Sequence, residues 1–240
     1  MCPARGGDRD AMHVMDAATI KRAYERISPV YDLLFDKIFH PGRVQALQIL
    51  APRPNEHILE VGIGTGLNLP LYPRSVKITG VDLSEPMLRK AEEKVGEIGL
   101  TNVILRVMDA QNLLFPDNSF DHVLATYTIS AVPDPVRTLL EIKRVCRPGG
   151  NIVILNHFKS DNPVVGTVEE MIAPVCVKLG WKTNLKLKPL LERVGLQSEQ
   201  IHRVNLLNGW RLVRCVKNPG ASPEGRRDNG AEGRRQNGAH

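Results

Sequence analysis

Between residues 56 and 157 the chain alternates strictly between two kinds of segment. Apolar runs of strand length (HILEVG, VKITGVD, VILRVM, DHVLATY and NIVILNHF) are separated by helix-like stretches such as SEPMLRKAEEKVGEIG and PDPVRTLLEIKRVC. Pro148-Gly149-Gly150 stops the second of these helices and turns the chain into the next strand. Strand and helix in strict alternation make βαβ units, and βαβ units make a parallel sheet covered by helices on both faces. The fold class is therefore α/β, doubly wound. In such a sheet ligands bind at the carboxyl ends of the strands, where the strand order reverses.

The first strand delivers its carboxyl end into EVGIGTG, with glycines at 62, 64 and 66. Glycine spacing separates the possible ligands. A phosphate-cradling Walker loop needs GxxxxGK[ST], and no Lys follows Gly66. The dinucleotide fingerprint needs a third glycine where this chain has Leu67. What remains is ExGxGxG, a loop that lets a ligand lie close to the backbone without a phosphate cradle. The second strand ends in VDLS, which places Asp82 where a ribose diol can donate two hydrogen bonds to its carboxylate. A ribose partner alone does not separate NAD from S-adenosylmethionine.

Glu60-x-Gly62-x-Gly64-x-Gly66, VDLS, MDAQNL, FPDNSFDHV and RPGG together resemble, in order and spacing, the motifs of the class I S-adenosylmethionine-dependent methyltransferases. The resemblance implies a mostly parallel seven-stranded sheet with an added N-terminal helical segment. It also implies a cofactor, S-adenosylmethionine, held by Glu60, Gly62, Gly64, Gly66, Asp82, Leu83, Asp109, Ala110 and Thr126. Asp109 and Ala110 would meet the adenine amino group. Within the class, Tyr24 with SPVYD (Tyr31) resembles the opening of the methyltransferases related to those of ubiquinone and menaquinone synthesis, whereas NHF at 156–158 and APVCVKLGW resemble the bacterial phosphatidylethanolamine N-methyltransferases of the quinone-methyltransferase-like type. That resemblance implies phosphatidylethanolamine and its mono- and dimethyl derivatives as acceptors, with repeated transfer toward phosphatidylcholine. The alternative is a C-methyltransferase of ubiquinone or menaquinone biosynthesis.

The acceptor chemistry assigns three candidate catalytic residues. An ammonium has no lone pair, so it must lose a proton before attack, and an unperturbed imidazole can take one. His157 leaves the fifth strand at the rim where the acceptor is expected. Tyr24 lies on an apolar helix face with Ile20, Ala23 and Ile27, and the resemblance implies that this helix closes over the cofactor, which would bring Tyr24 and Tyr31 near the acceptor to orient a cationic headgroup.

Composition sets the surroundings. Charge is uneven: residues 1–156 hold 18 basic and 18 acidic residues, 157–216 hold 9 and 5, and 217–240 hold 5 and 3. The positive excess of the last third suits an anionic membrane surface. A nucleic-acid partner is not expected, because aromatics are only 5% and do not interleave with the basic residues. No apolar run approaches a bilayer span, and MCPARGGDRD has no apolar core of a secretory signal. The expectation is a cytoplasmic protein bound peripherally at the inner face of the cell membrane. Docking would use the N-terminal helix with Lys21, Arg22 and Arg26, or the apolar stripe from Val164 to Leu179 with the lysines after it. The four cysteines are scattered without a CxxC pair, so free thiols are expected and no metal site. Residues 1–15 read as a disordered leader, 16–217 as the methyltransferase domain, and 218–240 as a disordered tail poor in apolar residues.

Overall fold

The computed structural model describes residues 39–159, 185–205 and 209–218. Tyr24, Tyr31, the 1–15 leader, the Val164–Leu179 stripe and residues 219–240 lie outside them. The described elements run in the order α1 (39–50), β1 (His57–Val61), β2 (Lys77–Asp82), α2 (Glu85–Glu97), β3 (Val103–Val107), β4 (His122–Thr126), α3 (Pro135–Val145), β5 (Asn151–His157), α4 (Leu187–Val194), β6 (Ser198–Val204) and β7 (Trp210–Val216).

The strands form one seven-stranded sheet in the order β3-β2-β1-β4-β5-β7-β6. β1 to β5 are parallel, and β7 enters antiparallel between β5 and β6. Because β2 and β4 flank β1 on opposite sides, the winding reverses at β1, and a crevice opens above the carboxyl ends of β1 and β4.

Strand periodicity sorts the core into two layers. Leu59 and Val61, with Val123, Ala125, Ile152 and Ile154, face Leu139, Ile142 and Val145 of α3 and Leu187, Leu190 and Leu191 of α4. The intervening Ile58, Leu124, Val153 and Leu155 face Ala46, Leu47 and Leu50 of α1 and Leu88 and Ala91 of α2. Every residue of β4 is buried, as expected of a strand covered on both sides. α3 begins where its sequence says it should. Asp134 caps it by accepting from Arg137 N at 3.0 Å, and Pro135 takes the first turn. α4 ends at Gly195, which supplies the left-handed φ of 61°.

Among the described residues no helix is long and apolar enough to cross a membrane, and no group of His, Cys, Asp or Glu could hold a metal ion. Cys146 and Cys215 are buried free thiols, each pushed up to about 12 by burial.

Candidate active site

The glycine loop leaves β1 and folds back beside β2. Gly62 and Ile63 both donate to Val81 O, at 2.8 and 3.1 Å, which holds the loop against the neighbouring strand. Gly62 has φ 72°, and a Cβ there would collide with the Thr128 side chain. Gly64 has φ 57° and nothing within 4 Å of where its Cβ would stand, so its backbone borders open space. Gly66 packs against Leu69 and Ala91.

Four strand ends meet at this loop. They border a cleft, open to solvent, of about 890 Å³, lined by Gly62 and Gly64, by Asp82, Leu83, Ser84 and Met87, by Met108, Asp109 and Ala110, and by Thr126, Tyr127 and Thr128. Asp82 is fixed at its rim. One carboxylate oxygen accepts from Gly64 N at 2.9 Å and the other from Ser84 N at 2.9 Å. Each oxygen keeps a further lone pair for a ligand hydroxyl. Burial raises this carboxyl above its ordinary value, against the opposing pull of the backbone N–H donors. Asp109 accepts from Gln111 N at 2.8 Å, which turns the chain after β3.

A smaller recess of about 320 Å³ continues from the cleft past Gly62, Gly64, Thr126 and Tyr127 to Arg43, Glu60 and Asn68. Glu60 is only 1% exposed. Its carboxylate accepts from Asn68 Nδ2 at 2.7 Å and from the Tyr72 hydroxyl at 2.8 Å. Burial outweighs those two hydrogen bonds and pushes its pKa up to about 7. Burial and the Glu60 carboxylate together hold the Tyr72 hydroxyl well above its usual range. Asn68 also donates to Thr126 Oγ1 at 3.0 Å, so this amide joins β1 to β4 beneath the recess. Asn68 Oδ1 and Ser84 Oγ are buried without a hydrogen-bond partner among the described residues. One lies in the recess and the other in the cleft, and buried polar atoms of this kind are normally satisfied by something.

Residues 59–154 match the family described as "Methyltransferase domain". A phosphatidylethanolamine N-methyltransferase from Cereibacter sphaeroides is 42% identical over 175 residues, covering 72% of this chain and 85% of that one. The chain belongs to the S-adenosylmethionine-dependent methyltransferases. A demethylmenaquinone methyltransferase from Listeria welshimeri is 32% identical over 152 residues, 60% of this chain and 64% of its own length. Among solved structures, a phosphoethanolamine N-methyltransferase from Haemonchus contortus, in complex with phosphomonomethylethanolamine and S-adenosylhomocysteine, shares the fold. Its TM-score is 0.67 at 18% identity, over 83% of this chain and 60% of that one.

The residues present fit the methyltransferase cofactor. The cleft offers apolar side chains and a carboxylate with spare lone pairs, as a nucleoside needs. The recess offers a carboxylate, an amide oxygen in want of a donor and a buried guanidinium, as an amino-acid end carrying both charges needs. Of the residues expected from sequence, Gly62, Gly64, Asp82, Leu83, Asp109, Ala110 and Thr126 border the cleft and Glu60 the recess, whereas Gly66 borders neither. His157 ends β5 outside both cavities, with its ring edge-on to Trp210 at 6.0 Å between centroids. Tyr24 and Tyr31 lie outside the described residues. Arg43, Asn68 and Tyr127 were not among the expected cofactor residues. Tyr127 carried a signal, since an aromatic side chain directly follows a fully buried strand. Arg43 and Asn68 carried none, because each looks like an ordinary helix or turn residue until the sheet brings it to Glu60.

Proposed function

We propose that this methyltransferase transfers methyl groups from S-adenosylmethionine to the amine of phosphatidylethanolamine, successively toward phosphatidylcholine, at an anionic membrane surface. The observation that carries the reading is the 42% identity to the Cereibacter phosphatidylethanolamine N-methyltransferase, extended over 85% of that protein. The cofactor supplies a methyl group already activated on a sulfonium. The protein's work is to seat that methyl, align the amine with it and keep water out. Asp82 accepts from the ribose hydroxyls, Asp109 and Ala110 border the adenine, and Glu60 with Asn68 receives the α-ammonium.

The acceptor ammonium must shed a proton, since an unperturbed amine of this type is almost wholly protonated at neutral pH. On this reading His157 takes the proton from an acceptor that enters along the carboxyl end of β5 and the adjoining amino end of β7, and Tyr24 and Tyr31 orient the headgroup. Loss of turnover in His157→Ala and Tyr31→Phe, with unchanged cofactor affinity, is the expected result. Full turnover in both variants removes His157 and Tyr31 from the acceptor site.

The 32% identity to the Listeria demethylmenaquinone methyltransferase favours one second reading, C-methylation of a quinol. Product analysis separates the two. Purified protein is incubated with methyl-labelled S-adenosylmethionine and either phosphatidylethanolamine vesicles or demethylmenaquinol, and the lipids are resolved. Label in mono-, di- and trimethylated phospholipid is expected. Label in the quinol alone replaces the acceptor and leaves the cofactor assignments standing.

A further inference from the structure

The least ordinary backbone in the cleft belongs to Tyr127, immediately after β4. Its φ is 59°, in the left-handed region that bulky side chains rarely adopt and keep only where the surroundings over-determine it. The surroundings here are specific. Tyr127 N donates to Leu155 O of β5 at 2.6 Å. Its hydroxyl donates to Phe39 O of α1 at 3.2 Å and accepts from Asn205 Nδ2 at 2.9 Å. The Phe39 ring stands 4.8 Å from the Tyr127 ring, and the Arg43 guanidinium 5.2 Å from its centroid.

Asn205 comes from the far side of the sheet, immediately after β6. It is left-handed too, with φ 63°. While its amide nitrogen serves Tyr127, its Oδ1 accepts from Gly42 N of α1 at 3.0 Å. A Cβ on residue 42 would collide with that same oxygen, so glycine is what lets α1 come this close. One side chain thus ties a helix and a strand end that are 163 and 78 positions away from it. What it ties is the wall of the site, because Tyr127 borders both the cleft and the recess.

We propose that Asn205 is a positioning residue of this methyltransferase: through the Tyr127 hydroxyl it holds the Tyr127 ring as the partition between cleft and recess, and so sets cofactor affinity. The inference rests on the cofactor reading of the cleft and is independent of the acceptor. A clasp that merely fastened the end of β6 to α1 would contribute to stability and leave the cofactor alone.

The test is calorimetric binding of S-adenosylhomocysteine, which needs no acceptor. Asn205→Gly tolerates the positive φ and removes only the side chain. It is expected to weaken binding about tenfold, the effect of a hydrogen bond lost from a buried site, with the thermal midpoint within a few degrees of the parent. Tyr127→Phe, which keeps the ring, is expected to weaken binding to a similar extent. The double variant should bind no more weakly than the weaker single, since both act through one hydroxyl. Asn205→Asp, which accepts from Gly42 N and can accept from the Tyr127 hydroxyl once its proton turns away from Phe39 O, should recover part of the loss. Parental affinity in Asn205→Gly overturns the proposal, as do losses that multiply in the double variant. A collapse of Asn205→Gly together with parental affinity in Tyr127→Phe overturns it as well, by assigning the clasp to folding alone.

Discussion

Gly62 and Gly64 share a sequence motif and a left-handed φ, yet their surroundings assign them different work. At Gly62 the space for a Cβ is taken by Thr128, whose hydroxyl donates to Val61 O at 2.9 Å. Gly62→Ala therefore combines backbone strain with overpacking and is expected to destabilise the protein by about 3 kcal/mol. At Gly64 the space is open, so Gly64→Ala should cost only about 1 kcal/mol in stability. Its methyl enters the cleft, and S-adenosylhomocysteine binding should fall at least tenfold. Thermal midpoints and calorimetric affinities for the two variants check the contrast. Glu60 sets a pH dependence. Its folded pKa of about 7 lies above the ordinary 4.5, so the native state holds a proton there that the unfolded chain releases. The stability this contributes is present in full below pH 4.5 and is lost as pH rises through 7, on the order of 3 kcal/mol. Glu60→Gln, neutral throughout, should flatten the slope of thermal midpoint against pH between 4.5 and 7. It should also weaken cofactor binding above pH 7, where the parent presents a carboxylate. The sequence singled out Glu60 and Asp82 from their spacing at strand ends, and the structure sets their carboxylates beside the recess and the cleft. The sequence did not reveal Asn68 or Asn205, whose meaning lies in partners 8 to 163 positions away.

At the level of elements, periodicity made five parallel strands and two of their helices legible, since their apolar runs are long and bounded by turn residues. β6 was not legible in this way. SEQIHRV is exposed at all but its last residue, so it lies at the sheet edge without an apolar run to betray it. The loop between β3 and β4 shows a related limit. Its conformation depends on Arg144 of α3, which donates to Glu141 through two nitrogens at 2.8 Å each, to Asp117 at 2.7 Å, and to Phe115 O and Leu113 O at 2.8 Å each. Glu141 in turn accepts from Leu113 N at 2.8 Å. These donors hold the Glu141 carboxyl below its ordinary value. Arg144→Lys keeps the charge and loses the planar fork, so it cannot serve two carboxylates and two carbonyls together. About 2 kcal/mol of stability should go with it. The loop follows directly from Asp109 and Ala110, so faster amide hydrogen exchange over 109–118 should accompany a severalfold weaker affinity for S-adenosylhomocysteine. Unchanged exchange there would place the anchor of the loop elsewhere.

For the whole molecule, the proposed docking at an anionic membrane rests on where the charge lies along the chain. The first two thirds, residues 1–156, balance 18 basic against 18 acidic residues, while the last third carries the entire excess of +6. A cofactor cleft gains nothing from a distant surplus of lysine and arginine, but a surface that meets anionic lipid does, at about 1 kcal/mol for each basic residue close to the headgroups. That attraction reaches about a Debye length, roughly 10 Å at 0.1 M salt and 3 Å at 1 M. Co-sedimentation with phosphatidylethanolamine vesicles containing an anionic lipid should therefore fall severalfold between 0.05 and 0.5 M salt. Cofactor affinity, set inside the cleft, should stay nearly constant over the same range. Residues 218–240 hold four basic and three acidic side chains, so removing them takes away little net charge and most of the binding should persist. Sedimentation that is indifferent to salt would shift the docking from the charge of the last third to an apolar face. Sedimentation that disappears with residues 218–240 would instead place the contact in the paired arginines of the tail.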